Sequence, residues 1–266
     1  MVTIHPEVQI KSIIKSDQSP NELAITICFE NRLLFKDLLK KVIELELYGF
    51  DPELMDLDYV ERNYDQSEAL ELINDIDDTK GVIYKTSDEY FSLIITTKAV
   101  IDSPLCLIWT LKSEELPKKM MEAIEQLVKL DGFICAYIYD YWDEYWQSAT
   151  YNSDFEVFGK KHAHLRRIEN RWGELVVDTT NNFGKLEVLR NVCILAAPIM
   201  YFDKWYFENI CSKDVLVKNF KYQVIDSNIL RIVLSENIFK VKREDQKRFL
   251  QIIDIDTIRQ KYSPFG

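Results

Sequence analysis

The feature that most constrains the fold of this chain is an unbroken apolar run at Phe133–Tyr139. The run is rich in residues that favour extended backbone and has no alternating polar position. A strand of this kind is typical of a sheet position that is covered on both faces. The run therefore predicts a central strand of a sheet.

Two amphipathic helices accompany the predicted strands. In Arg32–Leu47 and in Glu114–Leu130, apolar side chains recur with the helical period on one face, and charged side chains occupy the other. Alternating or apolar runs predict strands at Val8–Ile14, Leu23–Phe29, Val82–Lys85, Tyr90–Thr96, Leu105–Leu111, Leu175–Asp178, Leu186–Leu189, Val192–Ile199, Tyr222–Ile225 and Ile229–Leu234. Further helices are predicted at Ser153–Phe158, Asp203–Ile210 and Arg243–Ile252.

The strands come in groups with helices between the groups, which favours the α+β class over a doubly wound parallel sheet. We therefore expect a largely antiparallel sheet, or sheets, with two or three amphipathic helices packed on them. This arrangement would form a single large domain or two closely packed lobes. A division at Asp131 would separate an N-terminal α+β lobe, residues 1–131, from a C-terminal α+β lobe, residues 132–266, although no Pro/Gly/Ser linker marks it.

Negative charge is concentrated in one stretch, residues 51–78, which we call the acidic segment. It contains eleven acids and one base, Arg62, so it carries −10 of the chain's formal charge of −11. Such a segment is either a solvated face or a docking surface that attracts a basic partner; a divalent-cation site is a third reading. The candidate partner-binding residues within it are Asp56, Asp58, Glu61 and Asp65.

A second acidic cluster, mixed with aromatic residues, follows the central strand directly. Tyrosine and tryptophan bury large areas at interfaces, and carboxylates there could meet arginine or lysine on a partner. We expect this stretch to lie in a loop at the strand end, where sites often occur. A core-capping role and a catalytic carboxylate pair are the alternatives. The candidate partner-binding residues are Asp140, Tyr141, Trp142, Asp143, Glu144, Tyr145 and Trp146.

Several chemistries lack their sequence motifs. The chain has seven glycines and neither of the glycine-rich phosphate-binding loops. His162 and His164 lie in a basic stretch that disfavours a cation, and no GxSxG motif accompanies them. The five cysteines are odd in number and widely spaced, so we interpret them as buried small hydrophobic residues. We predict no cofactor, no metal and no catalytic residue.

The acidic pI of about 4.9 disfavours binding to nucleic acid. The longest apolar stretch, Val192–Phe202, is too short to cross a bilayer, and it predicts a buried strand. The residues after Met1 lack the layout of a signal peptide. We expect a cytoplasmic protein that binds neither nucleic acid nor membranes.

Two segments carry a likeness to a known class. In Phe133–Ser148 a hydrophobic strand leads into Asp-Tyr-Trp and Trp-Gln-Ser, and in Met200–Ile210 another apolar strand is followed by Tyr-Phe-Asp-Lys-Trp-Tyr. In this layout the chain resembles the immunity proteins of bacterial polymorphic toxin systems. The resemblance implies a non-enzymatic inhibitor that occludes a cognate toxin, such as a nuclease, or another basic protein. It assigns no catalytic residue and no oligomeric state.

Two other functions stay open on the sequence. A hydrolase that uses carboxylates, with or without a divalent metal, requires a concave pocket that contains at least two acids with raised pKa values. A structural or scaffolding subunit would instead expose a large apolar patch or form a stable oligomer.

Overall fold

Ten antiparallel strands form the main sheet in the computed structural model, which describes residues 21–30, 35–48, 51–57, 60–75, 82–85, 89–95, 103–170 and 172–263. Two small hairpins accompany the sheet. In chain order the strands are β1 (Glu22–Phe29), β2 (Leu54–Leu57), β3 (Val60–Asn63), β4 (Val82–Lys85), β5 (Glu89–Ile95), β6 (Leu105–Lys112), β7 (Phe133–Asp140), β8 (Arg167–Glu169), β9 (Leu175–Val177), β10 (Glu187–Leu189), β11 (Val192–Ile194), β12 (Ile199–Phe202), β13 (Lys221–Val224) and β14 (Leu230–Val233).

The helices of the described residues lie before, between and after these strands. They are α1 (Phe35–Glu44), α2 (Gln66–Leu72), α3 (Lys118–Leu127), α4 (Tyr141–Ser148), α5 (Asn152–Glu156), α6 (Lys204–Asn209), α7 (Lys213–Asn219), α8 (Arg243–Ile252) and α9 (Ile255–Lys261), with 3-10 turns at Ile73–Asp75 and Ile238–Lys240. None of the helices that the structure describes combines the length and the apolar composition needed to cross a bilayer.

The main sheet has the strand order β13-β14-β12-β7-β1-β6-β5-β4-β2-β3, and every neighbouring pair is antiparallel. The amphipathic helices α1 and α3 pack on this sheet through their apolar faces. The predicted α+β class with a largely antiparallel sheet is therefore confirmed.

The centre of the sheet is buried on both faces. All eight residues of β1 are buried, and so are the first seven residues of β7, which pairs with β1 on one side and with β12 on the other. This position explains the unbroken apolar run at Phe133–Tyr139, because a strand covered twice has no solvent face on which to place polar residues.

Each face of the sheet carries its own hydrophobic core. On one face, Ile25 and Ile27 of β1 pack with residues of α1 and α3. On the other face, Ala24 and Cys28 pack beneath residues 189–197 and the C-terminal helices α6 to α9. The sheet is thus the middle layer of three, and β1 lies between residues from both sides of Asp131; the division into two lobes stays a prediction.

One predicted strand differs from the structure, and another is not tested by it. The apolar stretch Val192–Phe202 is not one buried strand, because β11 ends at Ile194 in a hairpin with β10 and β12 begins at Ile199 in the main sheet. Pro198 lies between the two strands and lacks the N–H that a continuous ladder requires. The predicted strand at Val8–Ile14 lies outside the described residues.

Candidate functional site

The aromatic and acidic stretch that follows β7 is helical, not a loop as predicted. Asp140 caps the N-terminus of α4, because its Oδ1 accepts hydrogen bonds from the backbone N–H of Trp142 at 3.0 Å and of Asp143 at 3.2 Å. Burial raises the pKa of Asp140, and the N–H of Asp143 partly offsets that effect. This acid therefore has a structural task at the end of the central strand.

Asp143 and Glu144 are also held by the fold. Both oxygens of Asp143 accept hydrogen bonds from the guanidinium of Arg243 in α8, one of them at 2.9 Å. Glu144 points inward, where Oε1 accepts from the Ser148 hydroxyl and from the Leu186 backbone N–H at 3.1 Å. Burial raises the pKa of Glu144. The three acids therefore join α4 to neighbouring parts of the chain.

Buried amides continue this network. Gln147 Oε1 accepts the Gly184 N–H at 2.7 Å, and its Nε2 donates to Asp143 at 2.9 Å. The Gln147 backbone oxygen accepts from Asn182 at 2.8 Å. Gln246 of α8, which is almost fully buried, donates to the Ala196 oxygen at 3.0 Å. Together these bonds fix α4 against the segment before β10 and against α8.

The aromatic side chains of α4 pack mostly against one another and against Phe158, which follows α5. Trp142, Tyr145 and Trp146 each contact the ring of Phe158 at centroid distances of 5.3, 5.6 and 5.4 Å. Tyr145 is buried, whereas the other aromatic residues of α4 keep part of their surface exposed. The Lys160 ammonium lies over the Trp146 ring, 5.5 Å from its centroid. Trp146 also borders the cleft that is described next.

An open cleft of about 600 Å³ lies beside Trp146. Its walls combine aromatic rings with cationic groups: Trp146, Phe155 and Phe183 on one hand, and Lys160, Lys161 and Arg166 on the other. This volume is in the range of small-ligand sites, which is about 300–1,000 Å³. Arg166 is paired at 3.3 Å with Asp178, which also lines the cleft. The two lysines beside the Trp146 ring suit the cleft to a planar or anionic group. Most of the lining comes from residues 146–183, which include the basic stretch around His162 and His164, and Arg243 joins it from α8.

A second, smaller cavity bears on the carboxylate alternative. It is lined by Asp140, Asp143 and Glu144 together with Gln246, and its volume is about 60 Å³. That space holds a few water molecules, each of which needs roughly 10–15 Å³ of this measure. The cavity does contain acids with raised pKa values, as that alternative requires, but it has no room for a substrate of ordinary size.

The acidic segment includes β2 and β3, the last two strands at one end of the strand order. Asp56 lies in β2 opposite Glu61 in β3, and Asp65 caps α2 by accepting the Glu68 N–H at 2.8 Å. Asp58 lies outside the described residues. The acids whose exposure the structure describes all face solvent, namely Asp51, Glu53, Asp65, Glu68, Glu71 and Asp75. Two of these acids form ion pairs, Glu68 with Arg62 at 3.2 Å and Asp51 with Lys119 at 3.7 Å.

The two groups of predicted partner-binding residues are not brought together. Five strand intervals separate β7 from β2, which corresponds to about 24 Å at roughly 4.8 Å per interval. The structure instead brings together residues that the sequence interpretation treated as scattered, above all Cys28, Cys106 and Cys193, whose sulfur atoms lie within 4.8 Å of one another. Among the residues that the structure describes, these three thiols form the group whose spacing would allow it to hold a metal ion.

The chain was compared with protein-family models and with curated proteins. No protein-family model matches the chain, and no curated protein matches it at a significant level.

Proposed function

We propose that this protein is a non-enzymatic binding protein of the immunity-protein class, which neutralises a cognate bacterial toxin in the cytoplasm by occluding it. The observation that carries the proposal is the solvent exposure of six acids just before β2, on and beside α2, and in the 3-10 turn that follows α2. Exposed charge of one sign attracts a partner of the opposite sign and accelerates encounter. The docking surface is therefore assigned to this acidic edge of the sheet.

The acids near α4 are engaged in hydrogen bonds within the protein, which supports a binding function over a catalytic one. Asp140 is a helix cap, Asp143 is paired with Arg243, and Glu144 accepts two internal hydrogen bonds. The cavity they border is far smaller than a substrate site. A carboxylate hydrolase would have to break these bonds before it could act on a substrate.

The test requires a defined partner, and the polypeptide encoded beside this chain's gene that is toxic on expression is the one to use. Co-expression should restore growth, and the purified pair should bind with an association rate that falls as salt is raised. The charge-reversal variant Glu53→Lys/Glu71→Lys should associate about tenfold more slowly.

The matched control is Asp214→Lys/Glu244→Lys, which makes the same change in net charge on exposed positions of α7 and α8. This variant should associate within about twofold of the unmodified chain. Circular dichroism has to show that both variants are folded. If the two reversals slow association equally, or if the neighbouring toxin is neither bound nor neutralised, the proposed surface is wrong.

The open cleft supports a second candidate function, the binding of a small anionic ligand or of an acidic side chain from a partner. Lys160 and Lys161 supply positive charge beside the Trp146 ring, and Arg166 of the same cleft is paired with Asp178. Titration with phosphate-bearing and carboxylate-bearing compounds, followed by calorimetry, tests this candidate. Binding that survives Lys161→Glu/Arg166→Glu would place the ligand elsewhere.

A further inference from the structure

Four of the five cysteines converge on one face of the sheet. Cys28 of β1 is the register partner of Cys106 in β6 and also of Cys135 in β7. Directly opposed residues of antiparallel strands project to the same face, so these three cysteines form a row across adjacent strands. Cys193 of β11 reaches the row from the layer that covers this face.

The sulfur atoms have the spacing of a thiolate metal site. Cys28 Sγ lies 3.6 Å from Cys106 Sγ, and Cys106 Sγ lies 3.7 Å from Cys193 Sγ. A tetrahedral zinc site with Zn–S bonds of about 2.3 Å places its sulfurs about 3.8 Å apart. The thiol of Cys135 is outside this group of three and is directed at the Cys193 backbone oxygen at 3.6 Å, so it lies beside the cluster.

A disulfide does not account for this cluster. A disulfide joins two sulfurs at about 2.0 Å, whereas three mutually close thiols cannot all pair. The five cysteines are all free thiols. Packing alone needs only small apolar side chains, and it does not require three sulfur atoms from three strands to lie within 4.8 Å of one another.

We propose that Cys28, Cys106 and Cys193 bind a zinc ion, with Cys135 able to complete a tetrahedral set. The four cysteines are buried among apolar residues, so the ion that leaves the smallest net charge is favoured. Three thiolates with Zn²⁺ leave one negative charge and four leave two, whereas the same sets with Cu⁺ leave two and three. Zinc would then connect the central strands β1 and β6 to β11 in the covering layer and act as a structural ion.

Cysteine binds zinc as its thiolate, so binding has to release protons from the ligands. The site is closed to solvent, and the ion would enter while the chain folds. Zinc should therefore resist chelators in the folded protein and be released when the protein unfolds.

The test measures metal in the full chain after expression in zinc-supplemented medium and purification without chelators. Mass spectrometry of the digested protein should give about one zinc per chain, as expected of a structural site. The Cys106→Ala variant should lose at least about nine-tenths of that zinc. The control variant Cys211→Ala, which removes the cysteine outside the cluster, should retain it.

A second measurement uses the unmodified chain and so does not depend on the folding of Cys106→Ala. Unfolding in guanidinium should release zinc to a colorimetric chelator, and refolding with Co²⁺ should produce an intense sulfur-to-cobalt charge-transfer band. Folded protein with no bound zinc, with copper in its place, or with fewer than five titratable thiols after denaturation would overturn the proposal.

Discussion

Replacement of Gly184 by alanine tests the buried amide network directly. An added Cβ would overlap the side-chain nitrogens of Gln147 and Gln246 and would lie 2.8 Å from Gln147 Cδ. The Gln147 amide would have to rotate away. That rotation breaks its hydrogen bonds to the Gly184 N–H at 2.7 Å and to Asp143 at 2.9 Å.

The magnitude follows from these two bonds. A buried polar group that loses its partner costs about 1–3 kcal/mol, so two such losses predict a decrease of about 3 kcal/mol in the free energy of unfolding. For a chain of this size that corresponds to a fall in Tm of roughly 6–12 °C. Urea denaturation followed by tryptophan fluorescence, together with calorimetry, measures both quantities.

Two controls separate the clash from other effects of a glycine substitution. Gly159→Ala introduces a left-handed residue at φ +62° but meets no atom within 4 Å, so it should cost only about 1–2 kcal/mol. In the background of Gln147→Ala, the Gly184→Ala change should cost less, because one of the overlapping groups is gone. A Gly184→Ala variant no less stable than Gly159→Ala, or an unchanged cost in that background, would refute the reasoning.

Three further predictions concern charged groups. Glu187→Gln should lower the free energy of unfolding by about 3 kcal/mol in urea denaturation, because Arg259, which donates to the carboxylate at 2.9 Å, and the buried Lys185 at 4.0 Å both lose their counter-charge. Burial raises the pKa of Asp203 to about 6, so its contribution to stability falls as pH rises from about 4 to 6. Asp203→Asn should therefore gain stability relative to the unmodified chain over that range in unfolding curves at each pH. Arg243→Gln breaks a partly exposed pair with Asp143, and its cost of about 1 kcal/mol should shrink in 0.5 M NaCl, as measured by urea denaturation.

The local patterns of the sequence predicted most of the regular elements. Local patterns of side chains were enough to predict two strands and one helix at their observed positions. These elements are the strands at Leu23–Phe29 and Phe133–Tyr139 and the helix at Arg243–Ile252. The helix at α4 was missed although its signal is present. Asp140 is a cap residue, and Trp142 and Trp146 are four positions apart, as on one helical face.

The candidate sites depend on tertiary contacts that no local pattern contains. Cys28 and Cys193 are close because β11 packs over the face of the sheet to which Cys28 points, and the cleft beside Trp146 forms where residues 146–183 fold back on one another and meet Arg243 of α8. The same holds for the acids near α4. From the sequence these acids are expected to be unpaired and exposed. In the structure Asp143 accepts a hydrogen bond from Arg243, which reaches it because α8 packs beside α4.

The place of β1 in the middle of the sheet has a consequence for the newly made chain. Glu22 is opposite Lys112, and Leu23 is opposite Asp140, so β1 is complete only after both later strands have left the ribosome. At about 5–20 residues per second this interval is on the order of ten seconds. During that time an apolar, β-forming segment is without its neighbours and is open to wrong pairing. Chaperone dependence during translation, and slow refolding after dilution from denaturant, are the behaviour that this strand order favours.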